Sequence, residues 1–180
     1  MLTTDKKRLR GPLLLKPKKF FDDRGFFSET YQEERWKNAG VFPTFVQDNH
    51  SCSKHKGTVR GLHMQHPPFE QDKLVRVLKG KIFDVVVDIR QGSETFGEWE
   101  SFELDIDTQL FVPAGFLHGF MTLSDDCEVL YKVSKPYAKS QEGGVRWNDP
   151  TLNIEWPSLT PLLSDKDLVL PSWSEVCQSF

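Results

Sequence analysis

Apolar and polar positions alternate along the middle of the chain with the two-residue period of strands. Between positions 82 and 89, Phe83, Val85, Val87 and Ile89 share one face, and Asp84 and Asp88 share the other. Residues 74–78, 101–104, 109–112, 120–123 and 128–133 are further short strand-like runs. Turn-formers separate them: Lys79-Gly80, Gln91-Gly92-Ser93, Pro113-Ala114-Gly115 and Ser124-Asp125-Asp126. Many short strands at this spacing predict an all-β sandwich or barrel. Helix signal is sparse: residues 30–39 carry helix formers and stop before Gly40, and a short turn starts near Ser172 or Ser174. No repeat, low-complexity tract or linker divides the sequence. It reads as one domain over 1–180, with an N-terminal arm at about 1–50, a barrel core at about 51–140 and a tail at about 141–180. From Trp147 onward the tail is laid over the barrel.

Composition narrows the picture. In 180 residues, 38% are hydrophobic and 27% charged, an ordinary globular balance. The formal net charge of -3 provides no long-range attraction to nucleic acid or to an anionic membrane, so a polyanionic ligand needs a local pocket of Arg and Lys. No apolar run approaches the roughly 20 residues of a membrane-spanning helix. The basic stretch at residues 1–12 leads into Leu13-Leu14-Leu15 without a signal-like cleavage pattern. Cys52, Cys127 and Cys177 are odd in number and widely spaced, which argues against a disulfide framework or a zinc site and favours a reducing cytoplasm.

Four segments hold candidate chemistry. In Val59-Arg60-Gly61-Leu62-His63-Met64-Gln65-His66, regular strand parity groups Val59, Gly61, His63 and Gln65 on one face. Gly61 then leaves open space beside an imidazole, and His63 taken alone is either a bonded wall residue or a functional group. Lys73 shares a face with Val75 and Val77, so its amine either enters an apolar interior, where it suits an anion, or sits at a solvated strand start. Val112-Pro113-Ala114-Gly115-Phe116-Leu117-His118-Gly119 is a strand ending in a turn that presents His118, a spacing found in cupin barrels. Tyr131 travels with Cys127, Val129 and Val133 and faces the core; in isolation it reads as a core tyrosine with a bonded hydroxyl. A metal needs three or four converging ligands. His63 and His66 point apart by parity, and the next strand offers Lys73, so a metal-free site is expected.

Several ordered strings add to this: Phe21-Asp22-Asp23-Arg24-Gly25-Phe26-Phe27-Ser28-Glu29, Phe45-Val46-Gln47-Asp48-Asn49-His50-Ser51, Arg60-Gly61-Leu62-His63, Lys73-Leu74-Val75-Arg76, Ser93-Glu94-Thr95-Phe96-Gly97, Leu130-Tyr131-Lys132, Trp147-Asn148-Asp149-Pro150 and Leu163-Ser164-Asp165-Lys166-Asp167. With the segments above they closely resemble the dTDP-4-dehydrorhamnose 3,5-epimerase family of metal-free cupins, over about residues 20–168. The resemblance implies a cupin-type jelly-roll β-barrel with a few short peripheral helices. It implies a nucleotide-linked 4-keto-6-deoxy sugar as substrate, no metal or other cofactor, and a homodimer exchanging N-terminal strands. His63 corresponds to the general base, Asp167 to its dyad partner with Asp165 the nearby alternative, Tyr131 to the general acid, and Lys73 to the cation near the enolate. Arg24, Glu29, Gln47, Asp48, Asn49, Arg60, His118, Glu142 and Lys166 fall at substrate-contacting positions, and Tyr137 at the one stacking on thymine. Arg24 and Glu29 are implied to serve the neighbour's pocket. Met64 departs from the usual aromatic, Pro136 precedes the platform residue, and strand parity sets Arg60 opposite His63 unless a bulge intervenes.

The chemistry fits these residue types. A 4-keto group acidifies the C3 and C5 hydrogens because the carbanion delocalises onto oxygen. Inversion removes a proton from one face and returns one to the other, so an imidazole base and a phenol acid across a pocket are expected. Rival expectations are a single-position epimerase, one for another nucleotide sugar, a metal-dependent cupin using His63, His118 and Glu70, or a non-catalytic sugar-binding module.

Overall fold

A computed structural model describes residues 3–5 and 8–180; Met1, Leu2, Lys6 and Lys7 of the basic N-terminal stretch lie outside the described residues. In chain order the elements are β1 (Thr3–Asp5), β2 (Leu13–Lys16), β3 (Lys19–Asp22), β4 (Gly25–Ser28), α1 (Glu33–Asn38), β5 (Gln47–Ser53), β6 (Val59–Gln65), β7 (Lys73–Lys79), β8 (Ile82–Asp88), β9 (Trp99–Leu104), β10 (Gln109–Val112), β11 (Phe116–Thr122), β12 (Cys127–Val133), β13 (Glu142–Gly144), α2 (Asp165–Leu168) and α3 (Trp173–Val176). A six-stranded sheet runs β1-β2-β10-β7-β12-β5 and a five-stranded sheet β13-β6-β11-β8-β9, while β3 and β4 form a separate hairpin. This is an all-β jelly-roll barrel of the cupin type with short peripheral helices. Among the described residues no helix is long and apolar enough to cross a membrane.

The two sheets close on a core that includes Val75, Val77, Ile82, Val86, Phe102, Leu110, Phe120 and Val129. The other face of the five-stranded sheet is covered by the tail: Val59, Leu62, Met64, Val85, Val87 and Leu117 pack against Leu152, Trp156 and Trp173. Burial on both faces explains why β11 is buried at every position and shows no alternation in its sequence. The strand therefore begins at Phe116 rather than near residue 120, and His118 sits within it, not on the turn expected before it. On the far side of the six-stranded sheet, Trp36 of α1 packs with Leu13, Leu15, Val41, Leu74 and Phe111. The helix is shorter than residues 30–39: it starts after Gln32, whose side chain caps the Arg35 N–H.

β6 departs from regular parity. His63 lies opposite His118 and Arg60 opposite Phe120, so β6 spends one more residue than β11 over the same span. This is a bulge. It turns Arg60 and His63 to the same side, while Val59, Leu62 and Met64 face the tail. Two expectations are corrected: Arg60 is not opposed to His63, and Val59 does not share the His63 face. Gly61 lies at the bulge with φ of 133°, and a Cβ there would stand 2.5 Å from Gly119 Cα. The glycine thus serves the close approach of neighbouring strands, not open space beside the imidazole as the sequence suggested.

Gly61→Ala must both strain the backbone and push β6 away from β11, so it should lose about 2–4 kcal/mol of stability in chemical denaturation. A loss below about 0.5 kcal/mol would mean that the strands do not depend on this contact.

Candidate active site

His63 projects from β6 and Tyr131 from β12, strands of opposite sheets, so imidazole and phenol enter one hollow from facing walls. Gln47, Asn49, Lys73, Tyr137 and Glu142 line the same hollow, whose volume is roughly 140 Å³. It adjoins a larger one of roughly 510 Å³, bordered by His66, Glu70, Ile89, Phe116 and Phe180, with Met64, Gln65, Gln71 and Lys73 on the boundary.

The His63 ring is held by a carboxylate. Its Nε2 lies 2.6 Å from Asp167 Oδ1. Asp167 is in turn fixed at the start of α2: Ser164 Oγ donates to its Oδ2 at 3.0 Å and accepts from its backbone N–H at 3.2 Å. Burial pushes the Asp167 carboxyl up, but the bonds from His63 and Ser164 outweigh it and hold the group below its ordinary value. An ionised carboxylate only accepts, so Nε2 carries the proton and the Nδ1 lone pair is left free. Asp165, the alternative partner, is exposed.

Tyr131 packs its ring against the barrel core, and its hydroxyl has no hydrogen-bond partner among the described residues. This removes the reading of a core tyrosine with a bonded hydroxyl. Burial pushes the phenol up, against the pull of Arg60, so it stays protonated at neutral pH. Arg60 is anchored to Ser53 Oγ at 3.2 Å and to the Cys52 carbonyl at 3.3 Å.

Lys73 opens β7 yet is only 9% exposed, so the solvated-start reading falls. Burial lowers its pKa to about 8, against the charges of Asp84 and Glu142. Its ammonium has no hydrogen-bond partner among the described residues and borders both hollows. Behind it lies a buried pair, His118 Nε2 and Asp84 Oδ2, 3.0 Å apart.

At the mouth, Tyr137 is half exposed and already oriented. Its hydroxyl donates to Glu142 Oε2 at 2.9 Å and its backbone N–H to Gln47 Oε1 at 3.1 Å. Gln65 braces the next residue by accepting from Ala138 N at 2.7 Å, and its amide donates to the Phe69 and Pro136 carbonyls. Lys166 pairs with Glu142. Burial pushes Glu142 up, but Lys166 and Tyr137 prevail and keep it below its ordinary value.

Of the expected substrate contacts, Arg60, His118 and Lys166 do not themselves line this hollow, and three more are bound elsewhere. Arg24, at the tip of the β3–β4 hairpin, binds Asp22; Glu29 binds Arg35; and Asp48 turns away from Gln47 and Asn49 to meet Lys132 Nζ at 2.9 Å. None of the three lines the hollow of its own chain. Sequence reasoning missed Asp84, Gln65, Gln71 and Ser164. Gln65 carried a signal in sharing the His63 face and Asp84 one in being a charge inside a β-branched run; Gln71 and Ser164 carried none.

Among the described residues no three His, Cys, Asp or Glu side chains converge as metal ligands. His63 and His118 are cross-strand neighbours, but each directs Nε2 to its own carboxylate, and Glu70 borders the adjoining hollow. The arrangement brings an imidazole with a free Nδ1, a protonated phenol and an ammonium to one hollow, groups able to remove a proton, return one and compensate charge beside a carbonyl.

Comparison with known proteins agrees with this geometry. Residues 6–175 match the family model described as dTDP-4-dehydrorhamnose 3,5-epimerase. A protein of that name from Sinorhizobium fredii is 49% identical over 170 residues, covering 93% of this chain and 87% of the relative. The crystal structure of dTDP-4-dehydrorhamnose 3,5-epimerase from Bacillus anthracis, with TDP and PPi bound, superposes with a TM-score of 0.93 at 45% identity, covering 96% of this chain and 99% of that one. A dTDP-6-deoxy-D-glucose-3,5-epimerase from Legionella pneumophila, in complex with dTDP-4-keto-L-rhamnose, gives 0.92 at 39% identity, with 97% and 94% covered. From the barrel, the hollow and these likenesses together, the chain belongs to the dTDP-4-dehydrorhamnose 3,5-epimerase family.

Proposed function

We propose that this chain is an isomerase that inverts C3 and C5 of a dTDP-linked 4-keto-6-deoxy sugar, with His63 as base and Tyr131 as acid. The observation that carries the reading is the placement of these rings on opposite sheets, with the Lys73 ammonium at the same hollow. His63 Nδ1 takes the proton beside the ketone, and Asp167 stabilises the imidazolium that results. The electron pair moves onto the ketone oxygen, where Lys73 meets the enolate charge. Tyr131 returns a proton to the other face and is reprotonated from solvent, to which His63 releases the proton it took. Positioned proton transfer contributes typically about 10²–10⁴-fold, and a preorganised cation a comparable factor. The oxidation state does not change, so no redox cofactor is called for.

Tyr137 supplies the face on which thymine stacks. Gln47, Asn49, Arg60, His118, Glu142 and Lys166 surround the sugar and diphosphate, with Arg60 and Lys166 giving charge-assisted bonds. The single domain works as a homodimer in the reducing cytoplasm, in keeping with three unpaired cysteines. Support for the dimer is the β3–β4 hairpin, which pairs only with itself and leaves Phe20, Phe21, Phe26 and Phe27 between 53% and 75% exposed. Exchange of this arm brings Arg24 and Glu29 to the neighbour's hollow, and Asp48, on the outer face of its sheet, joins that interface.

Turnover of dTDP-4-keto-6-deoxyglucose in heavy water, followed by NMR at each carbon, tests the reading. His63→Ala should lose exchange at both C3 and C5 by about 10³-fold or more while dTDP still binds. Tyr131→Phe should slow inversion far more than exchange, because the phenol is not needed to remove the proton. Small and equal effects would contradict the roles, and exchange at one carbon alone would make this a single-position enzyme. Replacing Phe21 and Phe27 together by Asp should convert the dimer to monomer in light scattering and cut activity; an unchanged mass would refute the exchanged arm.

A further inference from the structure

Asp84 and Asp88 share one face of β8 by strand parity and both are sealed from solvent, yet they are satisfied very differently. Asp88 accepts from Arg90, Ser93 and Thr95 side chains and from the Arg90 backbone. Asp84 accepts a single bond, from His118 Nε2 at 3.0 Å, and its Oδ1 is buried without any partner among the described residues. A half-satisfied carboxylate in a dry interior is costly. A side chain of similar shape without charge would fill the space more cheaply, so the charge itself has a use.

Its surroundings indicate the use. Lys73 is nearly as buried and lacks a hydrogen-bond partner among the described residues, and Asp84 is the foremost negative charge acting on it, ahead of Glu142. Burial pushes the His118 imidazole toward its neutral form, against the pull of Asp84. Burial likewise pushes Asp84 up, and His118 and Lys73 draw it back. One carboxylate, one ammonium and one neutral imidazole make a balanced set. In that state the Nε2 proton of His118 is committed to Asp84, and Nδ1 is the ring's only acceptor.

We propose, on the reading of this hollow as an epimerase site, that Asp84 is a positioning residue which keeps Lys73 an ammonium and holds His118 as the Nε2–H tautomer. The enolate oxygen then meets a cation whose charge is maintained from behind, and the sugar meets a ring of fixed polarity. The titratable groups that share the two hollows with Lys73 are His63 on β6, His66 and Glu70 between β6 and β7, Tyr131 on β12, Tyr137 between β12 and β13, and Glu142 on β13, while Asp84 on β8 and His118 on β11 act on it through their charge. Of these, Asp84→Asn alters the charge of one alone.

The sign follows from Lys73. Its ammonium is present below about 8 and is lost above it, so the wild-type rate falls on the alkaline side there. Asp84→Asn removes the main counter-charge and moves that fall to lower pH by about one unit or more. At pH 7.5 kcat should drop about threefold for a shift of one unit and about 25-fold for two, with KM and dTDP affinity changed less, since the loss is of enolate stabilisation and not of binding. A variant with wild-type kcat and an unmoved alkaline limb would overturn the proposal while leaving the epimerase reading intact. If the wild-type protein neither turns over nor exchanges the keto sugar, that reading has failed. NMR then decides Asp84 alone: Lys73 titrating at about 8, and lower in Asp84→Asn, supports it, and no shift overturns it. Should the variant not fold, ¹⁵N spectra of wild-type histidines serve. A neutral Nε2–H His118 from pH 6 to 8 supports the proposal; an imidazolium or an Nδ1–H tautomer overturns it.

Discussion

The bond between His63 and Asp167 determines which ring nitrogen is left to react, and much of the barrel mouth exists to hold it. It ties a strand of the five-stranded sheet to a helix of one turn in the tail, across 104 residues of sequence. The bulge at Gly61 turns His63 inward beside Arg60, and the Ser164 cap sets the carboxylate that receives the ring proton. Loss of either support would leave an imidazole in the hollow, but with no fixed tautomer or direction.

Opposition between facing walls follows from the architecture. A single strand presents its groups to one side of a ligand, whereas a pair of facing sheets presents groups to both sides. His63 and Tyr131 exploit that arrangement, and Lys73 enters between them from the strand beside Tyr131. The same burial that makes the site dry shifts its charges: it keeps the phenol protonated and brings the amine down to about 8. Asp84 offsets some of that burial. The site is thus a balance between desolvation, which strengthens every interaction in it, and counter-charges that keep the needed forms populated.

The fold was largely legible because hydrophobic periodicity reports faces of strands. The alternation from Cys127 to Val133 put Tyr131 on the core side, as found, whereas that from Ile82 to Ile89 set Asp84 opposite Phe83, Val85, Val87 and Ile89 without showing which face turns inward. Periodicity fails where it is interrupted or absent. One inserted residue in β6 moved Arg60 to the other face, and no local signal marks it except a glycine open to another explanation. Double burial erased the alternation of β11. The choice of Asp167 over Asp165 depended on the cap of α2, and the boundary role of Phe180 on where the tail ends in space. Arg24, Glu29 and Asp48 lie apart from the hollow of their own chain, and no local pattern in the sequence sets them off from residues that line it. The family resemblance supplied roles that bare residue types left open, and geometry supplied the contacts behind them.

The central claim is that different groups handle the proton on the two faces of the sugar. Single turnover of dTDP-4-keto-6-deoxyglucose in heavy water measures it directly, through the fate of the substrate hydrogen at each inverted carbon. Separate acid and base groups predict product carrying deuterium at those carbons from its first appearance, with no original hydrogen returned. Substantial retention of the substrate's own hydrogen in inverted product would mean that one group serves both faces, and would contradict the account.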